Sequence, residues 1–124
     1  MNPEVLKNIA IFIVVYAAFK FFMGSRVDKD ADLPALIAAG AVLVDVRTPG
    51  EFAGWHPKAA INLPLQSLST SIQQKVKDKS KTVIVYCHSG SRSGAAKKIL
   101  QNAGYTQVVN AGSLHRVRLI LGNK

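Results

Sequence analysis

The sequence predicts an α/β domain, a parallel sheet flanked by helices, preceded by one N-terminal membrane helix. Three observations predict it. Short apolar runs alternate with segments of helical spacing, as in a sheet whose crossovers are helices. The run Thr82-Val83-Ile84-Val85-Tyr86 is almost wholly apolar, as a strand buried on both faces would be. The third is the unbroken apolar stretch Ile9 to Phe19 near the start of the chain.

That stretch alone is shorter than the roughly 20 residues a spanning helix needs. If Lys20 snorkels to the interface, the span widens to about Leu6 to Met23 and becomes adequate. We therefore expect residues 1–24 to be a single-pass anchor, 25–31 a linker and 32–124 the folded domain. A cleaved signal peptide, leaving a periplasmic domain, is the alternative, since Lys7 precedes a short apolar core. Against cleavage, bulky Phe21, Phe22 and Met23 stand where a small-x-small site belongs. Lys20, Arg26 and Lys29 after the segment lean towards a cytoplasmic domain.

In the domain, Asp30 or Asp32 caps a short helix through Leu33 to Ala39, with Pro34 in its first turn and Gly40 as its stop. Val42 to Val46 reads as a compact strand. Thr48-Pro49-Gly50-Glu51-Phe52 is a capped turn opening a short helix. Ala60 to Leu63 is a brief extended piece stopped by Pro64. From Leu65 to Val76 the apolar positions Leu65, Leu68, Ile72 and Val76 have helical spacing. After the central strand, Ser93 to Ala103 is a helix with Ala95, Ala96, Ile99 and Leu100 inward and Gly104 as its stop. Thr106 to Asn110 is a last strand.

Net charge is +9, and its distribution is uneven. No acidic residue follows Asp78, whereas Lys79, Lys81, Arg92, Lys97, Lys98, Arg116, Arg118 and Lys124 all do. The potential of that half attracts anions. Lys79, Lys81 and Lys97 are read as a solvated face. Nucleic acid is not an expected partner, because aromatics are scarce and not interleaved with the charges. A single cysteine excludes an intrachain disulfide and argues against a cysteine-rich metal site. No metal and no cofactor is expected.

That cysteine, Cys87, ends the central strand and starts the loop C-H-S-G-S-R-S-G, which leads into a helix. A thiol there faces unpaired backbone N–H groups and the positive end of a helix dipole, a setting that favours anionic sulfur and draws anions to it. The amides of His88, Ser89, Gly90 and Ser91 can wrap one anionic group, with Arg92 closing the ring as a charged donor. Ligands of such sheets bind outside the carboxyl ends of the strands. Asp45 and Arg47 leave their strand at that edge, as does Asn110-Ala111-Gly112.

The set L-V-D-V-R-T-P-G-E-F, H-P-K-A-A-I-N-L-P, V-I-V-Y-C-H-S-G-S-R-S and A-G-Y-T-Q-V-V-N-A-G-S, spanning about Asp32 to Ser113, resembles the rhodanese (sulfurtransferase) domain. The nearest resemblance is to short single-domain rhodaneses of the phage shock protein E type. It implies a rhodanese-like parallel five-stranded sheet and a cysteine that accepts sulfane sulfur as a persulfide and passes it on. The implied partners are a small anionic sulfur donor such as thiosulfate and an acceptor that is cyanide or a thiol. By this resemblance Cys87 is the nucleophile, the loop from His88 to Arg92 binds the persulfide or anion, and Asp45 and Arg47 support the loop. His56 matches the family histidine and is read as structural. Related phosphatases and arsenate reductases carry arginine six positions after cysteine; here Arg92 is five after, which favours sulfur transfer. A non-catalytic binding or sulfur-relay module at the membrane is the rival reading. After Ser113 the chain departs from the family pattern, and His115 and Arg116 are candidates for the pocket mouth or for a basic surface tail.

Overall fold

The computed structural model describes residues 2–24 and 26–122, with residues 17–24 as helix backbone only. The elements are α1 (Pro3–Gly24), α2 (Leu33–Ala38), β1 (Val42–Asp45), α3 (Pro49–Gly54), β2 (Ala60–Asn62), α4 (Leu68–Lys75, entered through a 3₁₀ turn at Leu65–Ser67), β3 (Val83–Cys87), α5 (Ser91–Asn102), β4 (Val108–Ser113) and α6 (Leu114–Leu121). The strands pair in parallel in the order β2-β1-β3-β4.

Alternation along β3 divides the core. Val83, Val85 and Cys87 join Val44, Leu68, Ile72, Leu100 and Tyr105 on the α4/α5 face. Ile84 and Tyr86 join Leu33, Leu43, Ala111 and Val117 on the α2/α6 face. All five β3 residues are buried, as a strand covered on both sides requires. Val83, Ile84 and Val85 each stabilise the fold by about 1.5–3 kcal/mol of transfer free energy. Local signals set the helix starts. The Asp32 side chain accepts the Ala35 N–H at 3.1 Å and caps α2. Thr48 and Glu51 form a reciprocal capping box on α3. Gly40 and Gly104, both with φ near +100°, turn the chain after α2 and α5.

Two expectations are corrected. Among the described residues the sheet has four strands, not five. The outer edge of β4 is met by the segment Val27–Asp28, which starts a ladder and then ends it. The Asp28 N–H donates to the Asn110 carbonyl at 2.8 Å, but the Asn110 N–H turns to the Asp28 carboxylate at 2.7 Å instead of to a backbone oxygen. A side chain has taken the next rung, so no fifth strand propagates.

The membrane helix is corrected too: among the described residues, no helix is long and apolar enough to cross a membrane. The unbroken run is only Ile9 to Phe19, and any longer span must take in Asn8 or Lys20. The expected snorkelling of Lys20 concerns a side chain outside the described ones.

Smaller differences have local causes. Helix α5 begins at Ser91 rather than Ser93, because Gly90 takes the turn with φ +101°. Ala95 is exposed, and Lys97, read as solvated, is only 7 % exposed because Asp28 pairs with it at 2.9 Å.

Candidate active site

Cys87 closes β3 with no exposed surface, at the carboxyl edge of the sheet. Its Sγ accepts the Gly90 N–H at 2.9 Å and the Ser93 N–H at 3.3 Å. Ser93 is the third residue of α5, so its amide is one that no helical carbonyl can satisfy, and the sulfur takes that place. The left-handed backbone at Gly90 aims the other amide inward, a conformation that a side chain would strain. The Ser93 hydroxyl staples the loop, 2.8 Å from the Gly90 carbonyl and 3.4 Å from the Gly112 carbonyl. Two preorganised N–H donors on one buried sulfur stabilise negative charge there.

Arg92, expected to close the ring over the loop, turns to α3. It meets Glu51 through two hydrogen bonds, Nη1 to Oε1 at 2.7 Å and Nη2 to Oε2 at 3.0 Å. The Arg92 side chain, then the Thr48 N–H, hold the Glu51 carboxyl down at about pKa 2. Glu51 in turn raises the guanidinium, with the charge of Cys87 adding to the effect. Arg92 also lines a small cavity with Val46, Thr48, Pro64, Leu65 and Gln66.

Asp45 and Arg47 form a buried ion pair at 2.8 Å, and neither is bonded to the cysteine loop. Their contacts run to the neighbours of the loop instead. The Tyr86 hydroxyl donates to Asp45 at 2.6 Å, fixing the residue before Cys87, and Arg47 Nη2 donates to the Trp55 carbonyl at 2.7 Å, fixing the end of α3. Asn62 ties the same corner by donating to the carbonyls of Asp45 and Arg47. Burial opposes charge on Arg47, yet the hydrogen bond and charge of Asp45 leave it raised. Burial, then Asp45, pushes the Tyr86 hydroxyl upward, so it stays a donor.

The other loop residues face out. His88 and Ser89 are exposed, and Ser89 and Ser91 hydroxyls lie 3.4 Å apart. The His88 carbonyl accepts the Leu114 N–H at 3.2 Å, which brings the start of α6 beside the loop. His115 is exposed there, while Arg116 is held on the carbonyls of Ala111 and Lys29, away from a mouth role. His56 is structural as expected, its Nδ1 2.8 Å from the Phe52 carbonyl and its ring stacked on Phe52.

Residue-by-residue reading missed Glu51, Ser93 and Asp28. The capping pattern Thr48-x-x-Glu51 marks Glu51 as a helix-start residue but gives no sign of its reach to Arg92. Ser93 comes directly after the loop, in the first helical turn, whose amides lack carbonyl partners, and was findable on that ground.

Known proteins share this architecture. The family described as "Rhodanese-like domain" matches residues 30–115. The thiosulfate sulfurtransferase PspE of Escherichia coli is 45% identical over 76 residues, 61% of this chain and 73% of that one. The Bacillus subtilis protein YqhL is 35% identical over 108 residues, 81% of this chain and 84% of its own. Among solved structures, a rhodanese with anions from E. coli aligns with TM-score 0.60 and 44% identity, covering 62% of this chain and 91% of that one. The human single-domain sulfurtransferase TSTD1 aligns with TM-score 0.60 and 26% identity, covering 68% and 88%.

Proposed function

The chain belongs to the rhodanese-like domain family and is a sulfurtransferase, and we propose that Cys87 is its sulfur carrier. Thiosulfate is the donor. The Cys87 thiolate attacks the outer sulfur of thiosulfate, the donor's S–S bond breaks, and sulfite leaves with the electron pair. A persulfide remains on Cys87. Cyanide or a thiolate then attacks the terminal sulfur, and the cysteine sulfur leaves as thiolate. With one cysteine in the chain, no second thiol of the same molecule resolves the persulfide, so the acceptor is another molecule.

One observation carries the assignment: the Gly90 and Ser93 amides converge on Sγ at 2.9 and 3.3 Å. Negative charge lies on the Cys87 sulfur when the first half-reaction begins and when the second ends, and fixed donors serve it there without reorganising. The basic surroundings, with no acid after Asp78, favour arrival of a dianion. His88, Ser89, Gly90, Ser91 and Arg92 form the binding loop, and Asp45 and Arg47 support it through Tyr86 and Trp55.

The test is thiocyanate formation from thiosulfate and cyanide by the full chain, with Cys87→Ser beside it. The variant is expected to fall to the uncatalysed background. Turnover retained in folded Cys87→Ser would overturn the assignment.

A further inference from the structure

We propose that Asp28, on the segment before the domain's first helix, is a positioning residue for the sulfur cradle, acting through Asn110, Gly112 and Ser93. The inference rests on Cys87 being the reactive sulfur.

Asp28 holds the backbone of one residue, Asn110, at both its N–H and its carbonyl. Its N–H donates to the Asn110 carbonyl at 2.8 Å and its Oδ2 accepts the Asn110 N–H at 2.7 Å. The same Oδ2 accepts from Lys97 Nζ at 2.9 Å. Asn110 lies on β4 and Lys97 on α5, so one carboxylate clamps the strand and the helix that supply the two sides of the site.

From Asn110 the effect continues by contact. Its Oδ1 accepts the Gly112 N–H at 2.9 Å, across the point where β4 slips register against β3. Val85 pairs with Asn110 but Tyr86 pairs with Gly112, so Ala111 is the extra residue of a bulge. A bulge re-aims the residues beyond it. Here it leaves Gly112 at φ +83°, with Val27 methyl groups so close that an added Cβ would meet one at 3.0 Å. The Gly112 backbone then lies behind Gly90, where a Cβ on Gly90 would meet Gly112 C at 3.8 Å, and its carbonyl faces the Ser93 hydroxyl. Gly90 and Ser93 are the residues whose amides hold the Cys87 sulfur. Every link between Asp28 and Sγ is thus a hydrogen bond or a backbone contact.

Four full-length proteins test this: wild type, Asp28→Ala, Ser93→Ala and the double variant. The first measurement is single-turnover uptake of sulfur by Cys87 from thiosulfate, monitored by intact mass. The second, independent of sulfur chemistry, is amide hydrogen exchange at Gly90 and Ser93, with Val44 on β1 as reference. Asp28→Ala is expected to slow uptake about tenfold, as small misplacements of reacting groups do. It should also speed exchange at Gly90 and Ser93 about tenfold more than at Val44. The double variant should be no slower than the slower single one, because both act through one contact chain. Uptake losses that multiply in the double variant, or exchange that rises equally at all three amides, would overturn the positioning role. Wild type that takes up no sulfur would overturn the Cys87 reading instead, and the exchange comparison would still decide the role of Asp28.

Discussion

Arg92 and Glu51 meet end to end, two guanidinium nitrogens on two carboxylate oxygens at 2.7 and 3.0 Å, across 41 positions of chain. The one cation inside the cysteine loop is thereby committed to an internal anion on α3. On the proposed role of the loop, a thiosulfate dianion arriving there would compete with Glu51 for it.

Glu51→Gln removes the competing charge and keeps an oxygen for the Thr48 N–H, so the α3 cap survives. The Michaelis constant for thiosulfate should fall about threefold at low ionic strength, and the gain should shrink as added salt screens the freed arginine. An unchanged or higher constant in steady-state assays would show that Glu51 holds Arg92 for the substrate rather than from it.

The same pair sets a stability trend with pH. Arg92 and the Thr48 amide depress the Glu51 carboxyl from 4.5 to about 2 in the folded protein. A depressed carboxyl contributes stability that is complete above the unfolded value and lost as pH falls through the folded one. The melting-temperature difference between wild type and Glu51→Gln should therefore be constant above about pH 4.5 and vanish on approaching pH 2. The two side chains are each 32% exposed, so the difference at neutral pH should be small.

Asp45→Ala strips a buried guanidinium and the Tyr86 hydroxyl of their partner at once. Such a loss costs about 3–5 kcal/mol by the general behaviour of broken buried pairs. Tyr86→Phe leaves the Asp45–Arg47 pair in place and should cost about 1–2 kcal/mol. Urea denaturation of both variants checks the order.

What the sequence made legible was local. Cys87 at a strand end, the Thr48 cap and the buried central strand each depend on residues within a few positions, so spacing alone exposes them. What it hid was long-range. Lys97 reads as a surface lysine until Asp28, 69 positions earlier, folds onto it. Arg92 reads as a loop donor until Glu51 claims it. The strand count came from the family resemblance, and it failed where the Asp28 carboxylate took over a hydrogen bond that a fifth strand's backbone would have made. Likewise the apolar N-terminal run counted as a membrane span only by absorbing its flanking lysines.

Cys87 has no exposed surface, and that enclosure sorts reactants by girth. On the proposed chemistry, a thiol buried this deeply favours a slim oxyanion over a cysteine lying flush on a globular surface. Loading changes the rule, because a second sulfur stands about 2 Å beyond the first. Cys87 shares a buried cluster with Val85 and Ala96, and its sulfur meets the cysteine loop at Gly90, so the added atom extends toward that loop. On that proposal, charging the protein moves the reactive point outward, within reach of bulkier reactants than the empty thiol can meet.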